Sequence, residues 1–558
     1  MKTIKIKIII ALTLLFQMTS CLDLNELNVS PNSPVNVSSN YILTYVLTGS
    51  ARSYSAYGDV ASWVSGAMQF NQNGTNQGAG EVNQYLWPNT SWSGHYDYLR
   101  NIKIIHDKSI TEKNKFFEAI SLILRAFNYG IITDLYGDVP YSESLLASEG
   151  TYFSKYDDQK YIYKGILEDL KNASAILADP GISAYKIDAN ADVLYKGLPD
   201  KWLKFSNSLR LRYCMRVLSK KADMTSIGVD IVSEFNAASA YAFTNTTDEA
   251  YVSFLGITAS NSAPGGILNA ANPNFLTKPC RTFVDTLKSR NDPRLQRWVE
   301  PVLRKWDLNG SALTTKSYKN IFGETYSVIY CPTTNTALDT SLYVGLPQNM
   351  AVINLLTYNK GNDIAVYPPE KSPYISWLHS RYRANTETYI RMDLMMYSEV
   401  EFLLAEAAQI GGFSATDPET HYKNGILASM KRWGIADGIG GFSFNTYYSS
   451  PKVSYVNATN KLERIIGQKW IALWLNIEAW FDWRRTGYPV LKTGPATQYG
   501  AAAPLRYMYP VPSQDPKYLV NYTAAVAKLE VTSFVPTGQS KDHTYSKMWL
   551  LQGTGKPY

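Results

Sequence analysis

Three carboxylates in one short stretch, Glu399, Glu401 and Glu406 of YSEVEFLLAEAA, are the first residues able to do chemistry. Hydrolysis of a glycosidic bond needs two carboxyl groups at a fixed separation. Here Glu399 and Glu406 lie seven apart beside an apolar stripe, as structural ion-pair partners do, so the stretch reads as scaffold. Arg210, Arg212 and Arg216 in WLKFSNSLRLRYCMR could clasp an acidic ligand, but on a helix they too read as salt-bridged partners. Asp134 and Asp138 flank LYGD and could touch a cation; a turn between helices is the simpler reading. DGIGG, Asp437 to Gly441, neither follows a strand nor opens a helix, which argues against a phosphate cradle. The five histidines, His95, His106, His379, His421 and His543, show no ligand pair at helical spacing and no HExxH, so neither a catalytic metal nor another cofactor is expected.

The rings are more informative. With 41 tyrosines and 13 tryptophans against 19 phenylalanines, aromatic side chains with a polar handle dominate. Such residues suit half-wet surfaces, where a flat ring stacks on the C–H face of a sugar and neighbouring amides bond its hydroxyls. The loop FNQNGTNQGAGEVNQYLWPNTSW, Phe70 to Trp92, carries Trp87 and Trp92 among amides and glycines. Either tryptophan binds a ligand or plugs the loop onto the scaffold. Further candidates are Tyr326 and Tyr330, four apart beside Cys331, and Tyr374 and Trp377 in KSPYISWLH.

The elements that must position these rings are mainly helical. Amphipathic patterns cover Ser39 to Ser55, Tyr96 to Leu135 in two pieces, Tyr161 to Leu177, and a helix from Lys201 in which Phe205, Leu209, Tyr213 and Val217 recur every fourth residue. From about 221 to 387 the texture turns to Asn, Ser, Thr, Gly and Pro with scattered rings, which predicts a loop-rich insertion. Helical pattern returns at Arg391, with Met396, Val400, Leu403, Ala407 and Ile410 on one face and Gly411 and Gly412 as the stop. Pro418 to Trp433 completes a helix hairpin, and Lys461 to about Arg485 reads as one further helix.

The chain opens with Lys2, Lys5 and Lys7, then an apolar run from Ile8 to Phe16, the order of an export signal and too short to span a bilayer. Residues 1–20 are expected to be removed. Leu14 to Cys21 resembles a bacterial lipobox, which would make Cys21 the first mature residue and its lipid anchor. The mature chain then has 51 Lys plus Arg against 47 Asp plus Glu, the two signs interleaved, so nucleic acid is a poor partner. Beyond residue 20 no uninterrupted apolar run approaches the length of a membrane helix. Cys214, Cys280 and Cys331 remain; Cys280 and Cys331 either pair in an oxidising compartment or stay as buried free thiols.

TDLYGDVPYSE (133–143), WLKFSNSLRLRYCMR (202–216), NDPRL (291–295), YSEVEFLLAEAA (397–408) and IIGQKWIALWLNIEAWFDWRRTGYP (465–489) occur together in an order that resembles the SusD/RagB family of outer-membrane nutrient-binding lipoproteins. LNVSPNSP, 27–34, looks most like the second large SusD-like subfamily. PLRYMYPVPSQDPKYLVNY keeps Asn521 but lacks the usual glutamate before it. The resemblance implies a mostly α fold: one body, 21–558, with a scaffold of tetratricopeptide-like helix pairs over about 39–220 and 391–490 and the insertion between them. It also implies a lipid tether in the outer membrane and a lid role on a SusC-like TonB-dependent transporter, delivering oligosaccharides or, in some members, peptides. A surface glycoside hydrolase is the remaining alternative, and the chain offers no recognised acid and base for it. The binding surface is expected where the loop around Trp87 and Trp92 meets the insertion, with Tyr326, Tyr330, Tyr374 and Trp377.

Overall fold

A computed structural model of the chain describes residues 37–74, 79–264, 276–355, 357–365, 372–500, 502–510 and 515–556. The signal segment and Cys21 lie outside these residues. The helices used below are α1 (Ser39–Gly58), α2 (Ser93–Thr111), α3 (Lys115–Tyr136), α4 (Gln159–Leu177), α5 (Pro199–Arg216), α6 (Ile231–Ser239), α7 (Tyr397–Ile410), α8 (Pro418–Arg432), α9 (Lys461–Ala472) and α10 (Glu478–Thr486). The strands are β1 (Asn71–Asn73), β2 (Ala250–Ser253), β3 (Thr277–Pro279), β4 (Arg304–Asp307), β5 (Thr314–Lys319), β6 (Thr325–Pro332) and β7 (Arg391–Met395).

Local chemistry sets the helix ends. Asn114 Oδ1 accepts from the N–H groups of Phe116 and Phe117 at 3.1 and 3.2 Å, capping α3, and Gly137 at φ 99° ends it. Pro199 and Pro418 occupy the first turns of α5 and α8, where no backbone donor is needed. Consecutive helices pack on one another from α2 to α5, α6 closes on α5, and α7 packs against both α8 and α9. The central α3 is 22 residues long and, contrary to the sequence expectation, apolar enough by composition to cross a membrane. In its most apolar window 89% of the residues are buried inside the protein, as befits a helix surrounded by other helices.

Close approach of α3 and α5 depends on Gly130. A Cβ there would sit 2.0 Å from the hydroxyl oxygen of Tyr213, a side chain only 2% exposed. Gly130→Ala should therefore lower stability by about 1–3 kcal/mol through overpacking, against a helix-propensity gain of only about 1 kcal/mol. Urea titration of parent and variant checks this; equal or greater stability of the variant would contradict it.

Three sequence expectations need correction. Arg391–Met395 is not helical: it forms β7, antiparallel to β2, and the helix begins at Tyr397. Met392 and Leu394 alternate with polar residues there, a period-two signal masked by the apolar run that follows. The segment from Lys461 to Arg485 is two helices, broken where Leu475 takes φ 64° and Asn476 Oδ1 accepts from the Glu478 N–H at 2.9 Å. The insertion holds regular structure as well as loops. Within it β6 lies between β4, which runs parallel to it, and β5, which runs antiparallel.

The main hydrophobic core spans the scaffold helices and includes Trp202, Trp298, Trp470 and Trp480. The sheet of the insertion has a small cluster of its own, Trp306, Cys331 and Tyr374, with Ile329 and Leu338 against it. Cys214, Cys280 and Cys331 are free buried thiols, so the pairing of Cys280 with Cys331 does not occur here.

Candidate functional site

The charged residues of the sequence motifs hold the scaffold together. Arg212 on α5 donates from Nε and Nη2 to both carboxylate oxygens of Glu399 on α7, each at 2.7 Å, and Nη2 also reaches the Leu394 carbonyl at 2.8 Å. One turn on, Arg216 pairs with Asp134 of α3 and Glu478 of α10. The hydroxyls of Tyr163 and Tyr54 donate to those two carboxylates at 2.6 and 3.0 Å. Arg210 pairs with Glu234 of α6 at 2.6 Å. Glu406 takes Arg485 at 2.6 Å, and Arg485 and Lys469 each lie 2.7 Å from Asp482. Burial disfavours charge on Asp482, but the two cations outweigh it and hold the carboxyl well below the ordinary range. Arg294 and Asp292 of NDPRL pair at 2.7 Å, with Tyr447 and Gln468 completing the group.

These groups leave no free acid and base. Glu399 and Glu406 are ion-pair partners, and Glu401 accepts from the Tyr397 hydroxyl at 2.5 Å and from His421 Nδ1 at 2.7 Å. Asp134 lies in α3 and not in a turn; Asp138 accepts from the Gln159 N–H and pairs with Lys528. Among the described residues no cluster of His, Cys, Asp and Glu is arranged to hold a metal ion.

The six candidate rings fall in different places. Trp87 is 4% exposed and packs among Trp63, Trp480 and Tyr507 at 6.0, 5.3 and 5.1 Å between centroids, so it is a plug with no face left for a ligand. Trp92 is half-buried, edge-on to Tyr136 and Tyr156 at 5.2 and 5.5 Å. Tyr374, 1% exposed, lies flat on Trp306 at 4.6 Å and donates to Asp363, which makes it core of the insertion sheet. Tyr326, Tyr330 and Trp377 are half-buried and keep part of each ring open.

The loop of Trp87 does meet the insertion, but through amides. The Asn349 backbone N–H donates to Gln72 Oε1 at 2.9 Å and its Nδ2 donates to the Asn83 carbonyl at 2.6 Å, while β1 pairs with β3. Neither tryptophan of the loop contacts the rings of the insertion sheet in this arrangement.

What the sheet brings together is Tyr326 and Tyr330, two strand steps apart on one face of β6. Tyr318 stands opposite Tyr326, and Lys305 and Lys316 reach over the Tyr330 ring at 4.9 and 4.2 Å. At the edge, the Tyr326 hydroxyl donates to Glu324 at 3.2 Å and lies 3.3 Å from His379 Nε2; Arg381 pairs with the same glutamate at 3.2 Å. Burial and the Arg381 charge push the His379 imidazole below its ordinary value, so at neutral pH it offers one donor and one acceptor. Trp377 sits two residues before His379, with Lys278 Nζ 4.3 Å from its ring centroid. Tyr318, Glu324 and Arg381 were not singled out from sequence, although the Tyr-x-Val-x-Tyr alternation of β6 was a visible strand signal.

Comparison with known proteins fits this arrangement. A family model described as "Starch-binding associating with outer membrane", SusD-like, matches residues 31–510. No curated protein is matched. Among solved structures, a SusD homologue from Bacteroides fragilis covers 94% of this chain and all of its own at 22% identity and TM-score 0.69. A SusD/RagB family protein from Bacteroides thetaiotaomicron covers 94% of this chain and all of its own at 22% identity and TM-score 0.65. A chitin-binding protein covers 92% of this chain and all of its own at 22% identity and TM-score 0.68. At such identities the structures speak to the fold, while the family match extends over most of the sequence: the chain belongs to the SusD-like family.

Proposed function

We propose that this protein is a cell-surface lipoprotein, tethered to the outer membrane through Cys21, that captures oligosaccharides and presents them as a lid to a SusC-like TonB-dependent transporter. The observation that carries the reading is the tyrosine face of β5 and β6. Tyr326 and Tyr330 align there with half-open rings beside a hydrogen-bonding edge of Glu324, His379 and Arg381. Rings four residues apart on one strand face lie about 13 Å apart, so they would stack on sugars that are not neighbours in the chain, and the edge would bond their hydroxyls. Family membership supports the membrane association, and the structural likeness to a chitin-binding protein supports a saccharide as cargo.

Tyr326→Ala, Tyr330→Ala and Trp377→Ala should each weaken oligosaccharide affinity by about 1–3 kcal/mol, the value of burying an aromatic body. Calorimetry against glycan and peptide libraries supplies the ligand and then compares the variants. Peptides binding where glycans do not would replace the cargo, and three variants binding like the parent would move the site off this face. A tag on this chain should also bring down a much larger barrel protein from native membranes; recovery of the lipoprotein alone would count against the lid.

A further inference from the structure

A second recess lies between the end of α1, the 382–391 segment and the break that follows α9; Arg381 stands between it and the tyrosine face, pairing with Glu324 on one side and Glu387 on the other. Its inner chamber has a volume of about 60 Å³ and is walled by Asp59, Tyr382, Arg432, Trp474 and their neighbours. An outer chamber of about 450 Å³ shares Phe254, Tyr389, Arg391 and Arg432 with it and adds Tyr251, Thr386 and Glu387. Three donors on the inner wall have no partner among the described residues: the Tyr382 hydroxyl, the Trp474 indole N–H and Arg432 Nε. Tyr382 is 5% and Trp474 4% exposed, and the Arg432 side chain is 5% exposed. Buried donors without partners are costly and are found where something else satisfies them. Asp59 accepts one hydrogen bond, from the Val60 N–H at 2.7 Å, and enters no ion pair among the described residues.

We propose that this recess binds a neutral sugar ring, its body in the outer chamber and a hydroxyl-bearing arm in the inner one. The volumes set the division: 450 Å³ is the size of a small-molecule pocket, whereas 60 Å³ holds a few waters or the group that displaces them. The charges select a neutral ligand. Arg391 is matched by Glu249 and Asp393, and Arg432 Nη2 by Asp393 and the Tyr389 carbonyl. An anion would meet Asp59, Asp393 and Glu387; a cation would meet the two guanidinium groups. A hydroxyl both accepts and donates, so one group can take the N–H or O–H of Trp474 or Tyr382 and give its proton to Asp59. A peptide carbonyl only accepts. Burial pushes the Asp59 carboxyl up to about 6, in keeping with a group that lacks a cationic partner. Tyr251, 37% exposed and with Arg391 over its ring at 3.7 Å, supplies a ring at the mouth for the apolar face of the sugar.

The site has none of Tyr326, Tyr330 and Trp377 in its lining and is tested by its own variants. Crystals of the detergent-solubilised full chain are soaked in turn with D-glucose, N-acetyl-D-glucosamine, maltohexaose, chitohexaose and a tryptic digest of casein, and affinities are measured by ligand-observed NMR. A sugar is expected in the outer chamber with one hydroxyl bonded to Tyr382 and Asp59. Tyr382→Phe and Asp59→Asn, which remove no contact on which the fold rests, should each weaken that sugar by about tenfold at unchanged thermal midpoint. Occupation by the monosaccharides identifies a free ring as sufficient, and occupation by the hexaoses alone identifies a chain end; both support the site. Water alone in the recess after all the sugar soaks, peptide density in place of sugar, or both variants binding like the parent would overturn it. None of these results bears on Tyr326, Tyr330 and Trp377, whose variants report on the other face.

Discussion

Arg216→Met should lower the unfolding free energy by about 3–5 kcal/mol, the cost of breaking a buried ion pair from one side. Arg216 is fully buried between Asp134 and Glu478; Tyr163 and Tyr54 each lend one of these carboxylates a hydrogen bond, and Glu478 keeps Arg212 at 3.5 Å, so Asp134 is the carboxylate that the substitution leaves without an ion pair among the described residues. Methionine fills much of the space, so what is lost is charge and not volume. Burial already raises the Asp134 carboxyl above its ordinary 3.8 despite the neighbouring guanidinium. Without Arg216 that rise becomes larger. A carboxyl whose folded value is raised binds its proton more tightly in the native state, so the stability of the variant should fall as pH rises above about 4 through that raised value. The deficit should therefore shrink on acidification. Guanidinium titrations of parent and variant at pH 7.5 and 5 measure it. A loss under 1 kcal/mol at the higher pH would mean that the three helices are held by packing alone.

The second large effect concerns location. Cys21→Ala should move the folded protein from the membrane fraction to the soluble fraction. Removal of the leader leaves a nearly neutral chain, and the one described helix apolar enough to span a bilayer, α3, is buried inside the protein. Fractionation with a salt wash and immunodetection measures the shift. A variant that still sediments after the wash would rule out the thiol as the anchor.

How far the sequence could be read follows from what periodicity reports. The stripe Phe205, Leu209, Tyr213 and Val217 is buried in full, but so is every residue from Phe205 to Arg216: α5 is packed all round, and the stripe marks only its apolar side. The same signal overran the α9–α10 break. Ile466, Trp470, Leu473, Ile477 and Trp480 are all buried, yet a left-handed Leu475 turns the chain between them, and that turn carries no glycine to announce it. Arginines 210, 212 and 216 and glutamates 399 and 406 were legible as ion-pair partners from their place beside apolar stripes, though not which would meet which across up to 262 positions of sequence.

The candidate site was less legible. Residue type brought Trp87 and Tyr374 forward, but a large ring serves a core as well as a surface, and both are core. Tyr326 and Tyr330 were found as a pair, yet were placed in loops because the Asn-, Ser-, Thr-, Gly- and Pro-rich texture of the insertion outweighed the short alternation of β6. The recess at Asp59 left no local trace. Its groups come from five separate segments, and an orphaned donor exists only once the chain has folded around it.

The small cluster of Trp306, Cys331 and Tyr374 stands apart from the core that unites the scaffold helices. Energetic effects add when sites share no partners and couple when they do. Substitutions beneath the tyrosine face should therefore combine with substitutions in the scaffold as a simple sum. In evolutionary terms a recognition surface proposed there could be rewritten, ring by ring, while the helices that carry it keep the same margin of stability.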